Sequence, residues 1–122
     1  AFANPVGAAL REEVAPIVDG VCSRVDLADL EPALDRIIRV RAVQDMTASQ
    51  AVGFVLELKE IYRAVVTDAS AEDRADFERR VDRLLLTAFD VYNRCRQQVY
   101  DIRVKAIRNR SLKVMERLNT WR

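Results

Sequence analysis

One stretch dominates what this chain can fold into. From Ala71 to Arg122 there is neither a glycine nor a proline. Within it Phe77, Val81, Leu84, Ala88, Val91, Cys95, Val99 and Ile102 recur at steps of four and three. That spacing lines them along one stripe of a helix. Ser70 is placed to cap it, and Glu72 and Asp73 put negative charge in the first turn, where the helix dipole favours it. One helix of about 35 to 45 residues measures roughly 50 to 70 Å at 1.5 Å per residue. That is too long for a compact four-helix core in a chain of 122 residues. Either the helix bends near Asn109 to Ser111, or its far end projects from the domain.

Upstream, three shorter helices are expected. Asn4-Pro5 reads as a start, with Pro at the first helical position, where a missing N–H is harmless. Val6, Leu10, Val14, Ile17, Val18 and Val21 then form one apolar face ending near Gly20 to Ser23. Pro16 lies inside it and is expected to kink or split it. A linker holding Asp26 follows, and Asp29 to Pro32 offers a second start. Leu34, Ile37, Ile38 and Ala42 carry that helix to about Asp45, with Arg41 intruding on the apolar face. Thr47 to Gln50 spells a capping box, and the helix behind it carries Val52, Val55, Leu58, Ile61, Tyr62 and Val65. Asp68 to Ala71 breaks it. With Gly and Pro at 3 each, the tight turns of an all-β domain are lacking. The reading is an all-α bundle of four main helices with a long last one, in a single domain spanning 1–122. Residues 103–122 form a basic C-terminal extension of that domain.

Composition excludes more than it proposes. There is no histidine. Ser-His-Asp and Cys-His catalysis, His-ligated haem and the common zinc sites are thereby removed. Acidic pairs remain, Glu12-Glu13, Glu57 with Glu60, and Glu72-Asp73, each beside Arg or Lys on a charged helix face. Solvated ion pairs account for them. No catalytic, cofactor or metal residue is therefore expected, and the chain is read as a non-enzyme. Cys22 and Cys95 lie too far apart to suggest a disulfide framework. They read as small buried apolar side chains in a reducing cytosol. No apolar run reaches membrane-spanning length, and no secretory pattern is present. The chain begins at Ala1 rather than Met, which leaves room for residues upstream.

Net charge is only +1, but unevenly spread. Residues 1–61 carry 6 basic and 10 acidic side chains, residues 62–122 carry 14 and 9, and from Arg94 onward the count is 9 against 2. The basic amphipathic end, with Val104, Ile107, Met115, Leu118 and Trp121 along one side, suits a surface helix or coiled-coil seam. An anionic membrane surface is the alternative, and without interleaved aromatics no nucleic-acid partner is expected. Val99, Ile102, Ile107, Met115 and Leu118 are the candidate seam of a homodimer.

The second feature is a polar cluster, Arg41, Gln44, Asp45, Thr47, Ser49 and Gln50, packed into ten positions between apolar helices. It fits helix capping plus an Arg41–Asp45 pair, or else a binding notch or polar lock between helices. Asn93, in the apolar-rich run Phe89 to Val99, reads as a half-buried amide needing partners. Phe54, Tyr62, Phe89 and Tyr92 read as core, or else as the wall of an apolar pocket.

Three stretches together carry a family resemblance: FANPVG at Phe2 to Gly7, RAVQDMTASQAVGFVLELK at Arg41 to Lys59, and FDVYNRCRQQVYDIRV at Phe89 to Val104. They resemble the RsbRD-type N-terminal domain, named for co-antagonist proteins of the bacterial stressosome, over nearly the whole chain and in the family's order. The resemblance implies an all-helical input module for stress or redox signalling, acting through protein contacts with a partner not named by the sequence. It brings no established catalytic residues. In multidomain relatives the domain stands before a STAS domain; 122 residues leave no room for one, so a stand-alone copy is expected. Related co-antagonist input domains resemble globins without haem, which makes a distantly globin-like chain path a further expectation.

Overall fold

A computed structural model describes residues 5–121, and their side chains from Val14 onward. The expected cap at Asn4, the apolar positions Val6 and Leu10, and the pair Glu12-Glu13 lie outside the described side chains. The fold is an all-α bundle: α1 (Pro5–Cys22), a 3-10 turn (Leu27–Leu30), α2 (Glu31–Val43), α3 (Ala48–Val52), α4 (Phe54–Val65) and α5 (Ala71–Thr120). Four of these helices are arranged about the fifth as a spine.

That spine is α5. Its stripe Phe77, Val81, Leu84, Ala88, Val91 and Cys95 is buried, and α2, α4, α3 and α1 all pack on it. Ser70 caps it by accepting from the Asp73 N–H at 3.1 Å. The stripe stops at Cys95: Val99 is half-buried and Ile102 is 67% exposed. The helix does not stop there. It runs unbroken through Asn109 to Ser111 for 50 residues, about 75 Å. Of the two outcomes open from the sequence, the far end projects. Beyond Val104 every described side chain is exposed.

Pro16 neither ends nor splits α1. Val14, Ile17 and Val21 are buried on both sides of it. Their burial, at about 1.5 to 3 kcal/mol each, outweighs the roughly 3 kcal/mol that an interior proline costs. The helix closes through Arg24 in the left-handed region, φ 58°. Gly20 lets the next segment tuck beneath it, because a Cβ there would run into the Leu30 side chain. Asp26, placed in a linker by the sequence reading, caps the 3-10 turn by accepting from the Ala28 N–H at 3.1 Å.

The expected third helix is two. The capping box forms as read: Thr47 Oγ1 accepts from the Gln50 N–H at 3.3 Å, and Gln50 Oε1 accepts from the Thr47 N–H at 3.0 Å. The helix then breaks at Gly53, where a Cβ would lie 2.7 Å from the Ser49 carbonyl oxygen. Only glycine admits that approach. Beyond the break Phe54, Val55 and Leu58 are buried, but Ile61 and Val65 are exposed, so the apolar stripe ends early. Tyr62 is half-buried and stacks on Phe77, with ring centroids 4.1 Å apart. Phe54 and Tyr92 join the core, whereas Phe89 is 46% exposed on the outer face of α5. Of the two cysteines, both free, Cys95 is buried and Cys22 is exposed rather than buried.

Candidate functional site

The expected Arg41–Asp45 pair does not form. That spacing pairs side chains only when both residues are helical. Here α2 ends at Val43 and Asp45 lies beyond it, in the left-handed region with φ 60°. Its carboxylate meets α5 instead. Arg96 Nη1 donates to Asp45 Oδ1 at 2.9 Å and to the Ala42 carbonyl at 2.8 Å. Arg103 donates through both terminal nitrogens to Asp45 Oδ1, each at 3.2 Å. The Tyr92 hydroxyl donates to the Met46 carbonyl at 2.6 Å. Three side chains along one side of α5 thus hold the corner between α2 and α3.

Arg41 serves the other side of the corner. Its Nη1 donates to the Gln50 and Ala51 carbonyls at 3.1 and 3.3 Å, beside the break at Gly53. Its guanidinium lies 5.0 Å over the Phe54 ring. Arg80 does the same service for the end of α1, donating to the Val21 and Val25 carbonyls at 3.2 and 2.5 Å. Cations at these C-terminal carbonyls satisfy acceptors the helices leave open and suit the negative end of the dipole.

The rest of the cluster does not converge. Gln50 is spent in the capping box, and Ser49 Oγ lies 3.3 Å from Thr47 Oγ1. Gln44 is exposed at the end of α2. Asn93 is exposed on α5 rather than half-buried, because the buried stripe passes through Val91, Tyr92 and Cys95. Sequence reasoning missed Tyr92, Arg96 and Arg103 as partners of the corner. The seven-residue spacing of the two arginines was the available signal.

Electrostatics follow the geometry. Hydrogen bonds from Arg96, then from Arg103, hold the Asp45 carboxyl below the usual carboxylate range. A hydrogen bond from Arg39 does the same for Asp35 against the opposing effect of burial, with Cys95 and Arg94 helping. Burial pushes the Cys95 thiol up, and at the exposed Cys22 partial desolvation and then the Asp19 carboxylate raise it, so neither is primed as a nucleophile. For both carboxyls the folded value lies below the unfolded one. Their contribution to stability is therefore complete above the ordinary value of about 4 and is lost as pH falls through the folded value. Urea midpoints measured from pH 6 down to pH 2.5 should show this decline, and Asp45→Asn should flatten it; an unchanged slope would remove Asp45 from the account. Tyr92→Phe tests the same corner without charge. It strips the partner from the partly buried Met46 carbonyl and should cost about 1 to 3 kcal/mol in urea unfolding.

The projecting end of α5 is the other candidate surface. The five expected seam residues do not share a face. At about 100° per residue, Ile107 and Leu118 lie within roughly 20° of each other. Val99 and Met115 lie about 80° to either side of Ile107, and Ile102 about 140° away. The face with Ile107 and Leu118 holds Tyr100, Val104, Ser111, Val114 and Trp121, alternating by four and three. It stands about 130° around the helix from the buried stripe and begins where that stripe ends. Beside it Arg96, Arg103, Arg110 and Arg117 recur every seventh residue.

Between α1 and α4 an open groove of about 520 Å³ is floored by Val14, Val18, Phe54, Ile61 and Val65, with Asp19 and Glu57 on it. The acidic pairs within the described side chains are exposed. Among the described residues no group of three or more metal-ligating side chains gathers, and no helix is long and apolar enough to cross a membrane.

An uncharacterised protein of Archaeoglobus fulgidus is 32% identical over 99 residues, covering 79% of this chain and 65% of that protein, so less than two thirds of its length. No solved structure matches. A family model described as the RsbT co-antagonist protein rsbRD N-terminal domain matches residues 1–106, ending within one turn of Val104, where the bundle's last half-buried side chain lies. With most of its length matched, the chain belongs to the family of rsbRD-type N-terminal domains.

Proposed function

We propose that this chain is a non-enzymatic cytoplasmic input module that passes a stress signal to a protein partner through the projecting end of α5. The family's name ties such domains to co-antagonism of RsbT, and the signalling role rests on that name. The observation that carries the contact surface is the apolar face of α5 past Val104, which the bundle leaves uncovered. A helix that projects about 25 Å from its core gains nothing from that face unless a second molecule covers it.

The test is Ile107→Glu with Leu118→Glu in the native host. Both side chains are exposed, so the bundle should fold unchanged. Stress-inducible transcription should fall to its uninduced level at normal abundance of the chain. Undiminished induction would overturn the reading.

A second reading has one observation in its favour. Trp121 is 89% exposed beside the basic Lys113 and Arg117, a composition suited to an anionic membrane surface. Co-sedimentation with anionic vesicles at low salt, lost at high salt, would support that reading; no binding at either would exclude it.

A further inference from the structure

We infer that the projecting end of α5 pairs as a coiled coil with an acidic amphipathic helix of another protein, one that carries carboxylates beside a matching apolar seam. This rests on the reading of that end as the contact surface and names the chemistry of its partner.

The periodicity points to a helix as occupant. The face from Tyr100 to Trp121 holds the alternating four-three spacing through three heptads, with Ser111 as its one polar member. A repeat of 3.5 residues keeps facing a second helix that supercoils with it. The bundle does not cover this face beyond Val104. It points about 130° away from the stripe that meets the core, and the helix carrying it is unbroken to Thr120.

Charge selects among helices. Tyr100, Ile107, Val114 and Trp121 occupy the d positions of this repeat and Val104, Ser111 and Leu118 the a positions. Arg103, Arg110 and Arg117 then fill every g position, and Asp101, Arg108 and Met115 stand at e, so Asp101 is the single acidic flank among four arginines. Flanking residues at e and g set partner choice. A second copy pairs badly in either direction. Run parallel, Arg103 meets the copy's Arg108; run antiparallel, Arg110 meets its own copy and Arg103 meets Arg117. An acidic helix turns each of these repulsions into an attraction.

The structure already shows what a carboxylate does on this row. Asp45 bridges Arg96 and Arg103, one heptad apart, at 2.9 and 3.2 Å. Arg110 and Arg117 continue the same row and have no ion pair among the described residues. Carboxylates of the partner, repeated every seventh residue, extend outward the arrangement that Asp45 makes at the root. The family match ends at residue 106, so Arg110, Arg117 and most of the seam lie beyond it.

Two synthetic three-heptad peptides test this with the full chain. Both carry leucine at a and d; one carries glutamate at every e and g, the other lysine. Fluorescence anisotropy should show the glutamate peptide binding at least tenfold more tightly than the lysine peptide, with affinity falling as salt rises. Arg110→Glu with Arg117→Glu, checked for unchanged helicity, should reverse that preference. Equal binding of the two peptides, or no reversal in the variant, would overturn the proposal. So would light scattering that finds a dimer of the 13.9 kDa chain which Leu118→Glu converts to a monomer, since a second copy would then own the seam. If the peptides fail while Ile107→Glu with Leu118→Glu still abolishes induction, the contact surface stands and the acidic helix falls.

Discussion

Truncating Leu84 to alanine lowers the stability of the bundle by about 2 to 5 kcal/mol. Leu84 is fully buried midway along the α5 stripe, between Val81 and Ala88. All the other helices pack on this spine, so the surroundings cannot collapse from one side to fill the void. Each kcal/mol moves the midpoint of a domain this size by about 3 to 6 °C. A drop of roughly 6 to 30 °C is therefore expected in a thermal melt followed by circular dichroism. Leu86, two residues further along the same helix, is 69% exposed. Leu86→Ala should stay within about 0.5 kcal/mol of the parent. Similar losses for the two variants would mean that the stripe is not where the structure places it.

Phe54→Ala should cost about 3 to 5 kcal/mol. The ring is buried, follows the break at Gly53 directly and lies beneath the Arg41 guanidinium. Two contributions can be separated. Phe54→Leu keeps most of the apolar volume and removes the cation–π contact, worth about 0.5 to 2 kcal/mol. Arg41 keeps its hydrogen bonds to the Gln50 and Ala51 carbonyls in either case. A cycle with Arg41→Met isolates the contact. Zero coupling would leave Arg41 as a cap on α3 alone, and equal costs for Phe54→Ala and Phe54→Leu would take the ring out of the core.

These two residues mark a boundary in what could be read without coordinates. The stripe through Leu84 follows from apolar spacing along one helix, a property local to the chain. The capping box at Thr47 and the cap at Ser70 are local in the same sense. Each depends on residues at most three apart, and both form as read. The break at Gly53 was not legible, because a single glycine in a helical pattern is tolerated at a cost of about 1 kcal/mol. What makes it an interruption is the close approach of the Ser49 carbonyl.

The corner shows the same limit more sharply. Arg41, Asp45 and Gln50 stood out by type, but type does not assign partners. Asp45 meets Arg96 and Arg103, 51 and 58 residues away, and Tyr92 finds a carbonyl 46 residues away. Such pairings depend on how α2 lies along α5 and on the left-handed turn at Asp45, neither of which is encoded at short range. Likewise, the length of α5 and the two apolar faces on it were present in the order of the residues. Which face the bundle would cover, and where that cover would end, depended on packing. The four shorter helices stop covering the spine near Val104, and only there does the second face become a surface that another molecule can use.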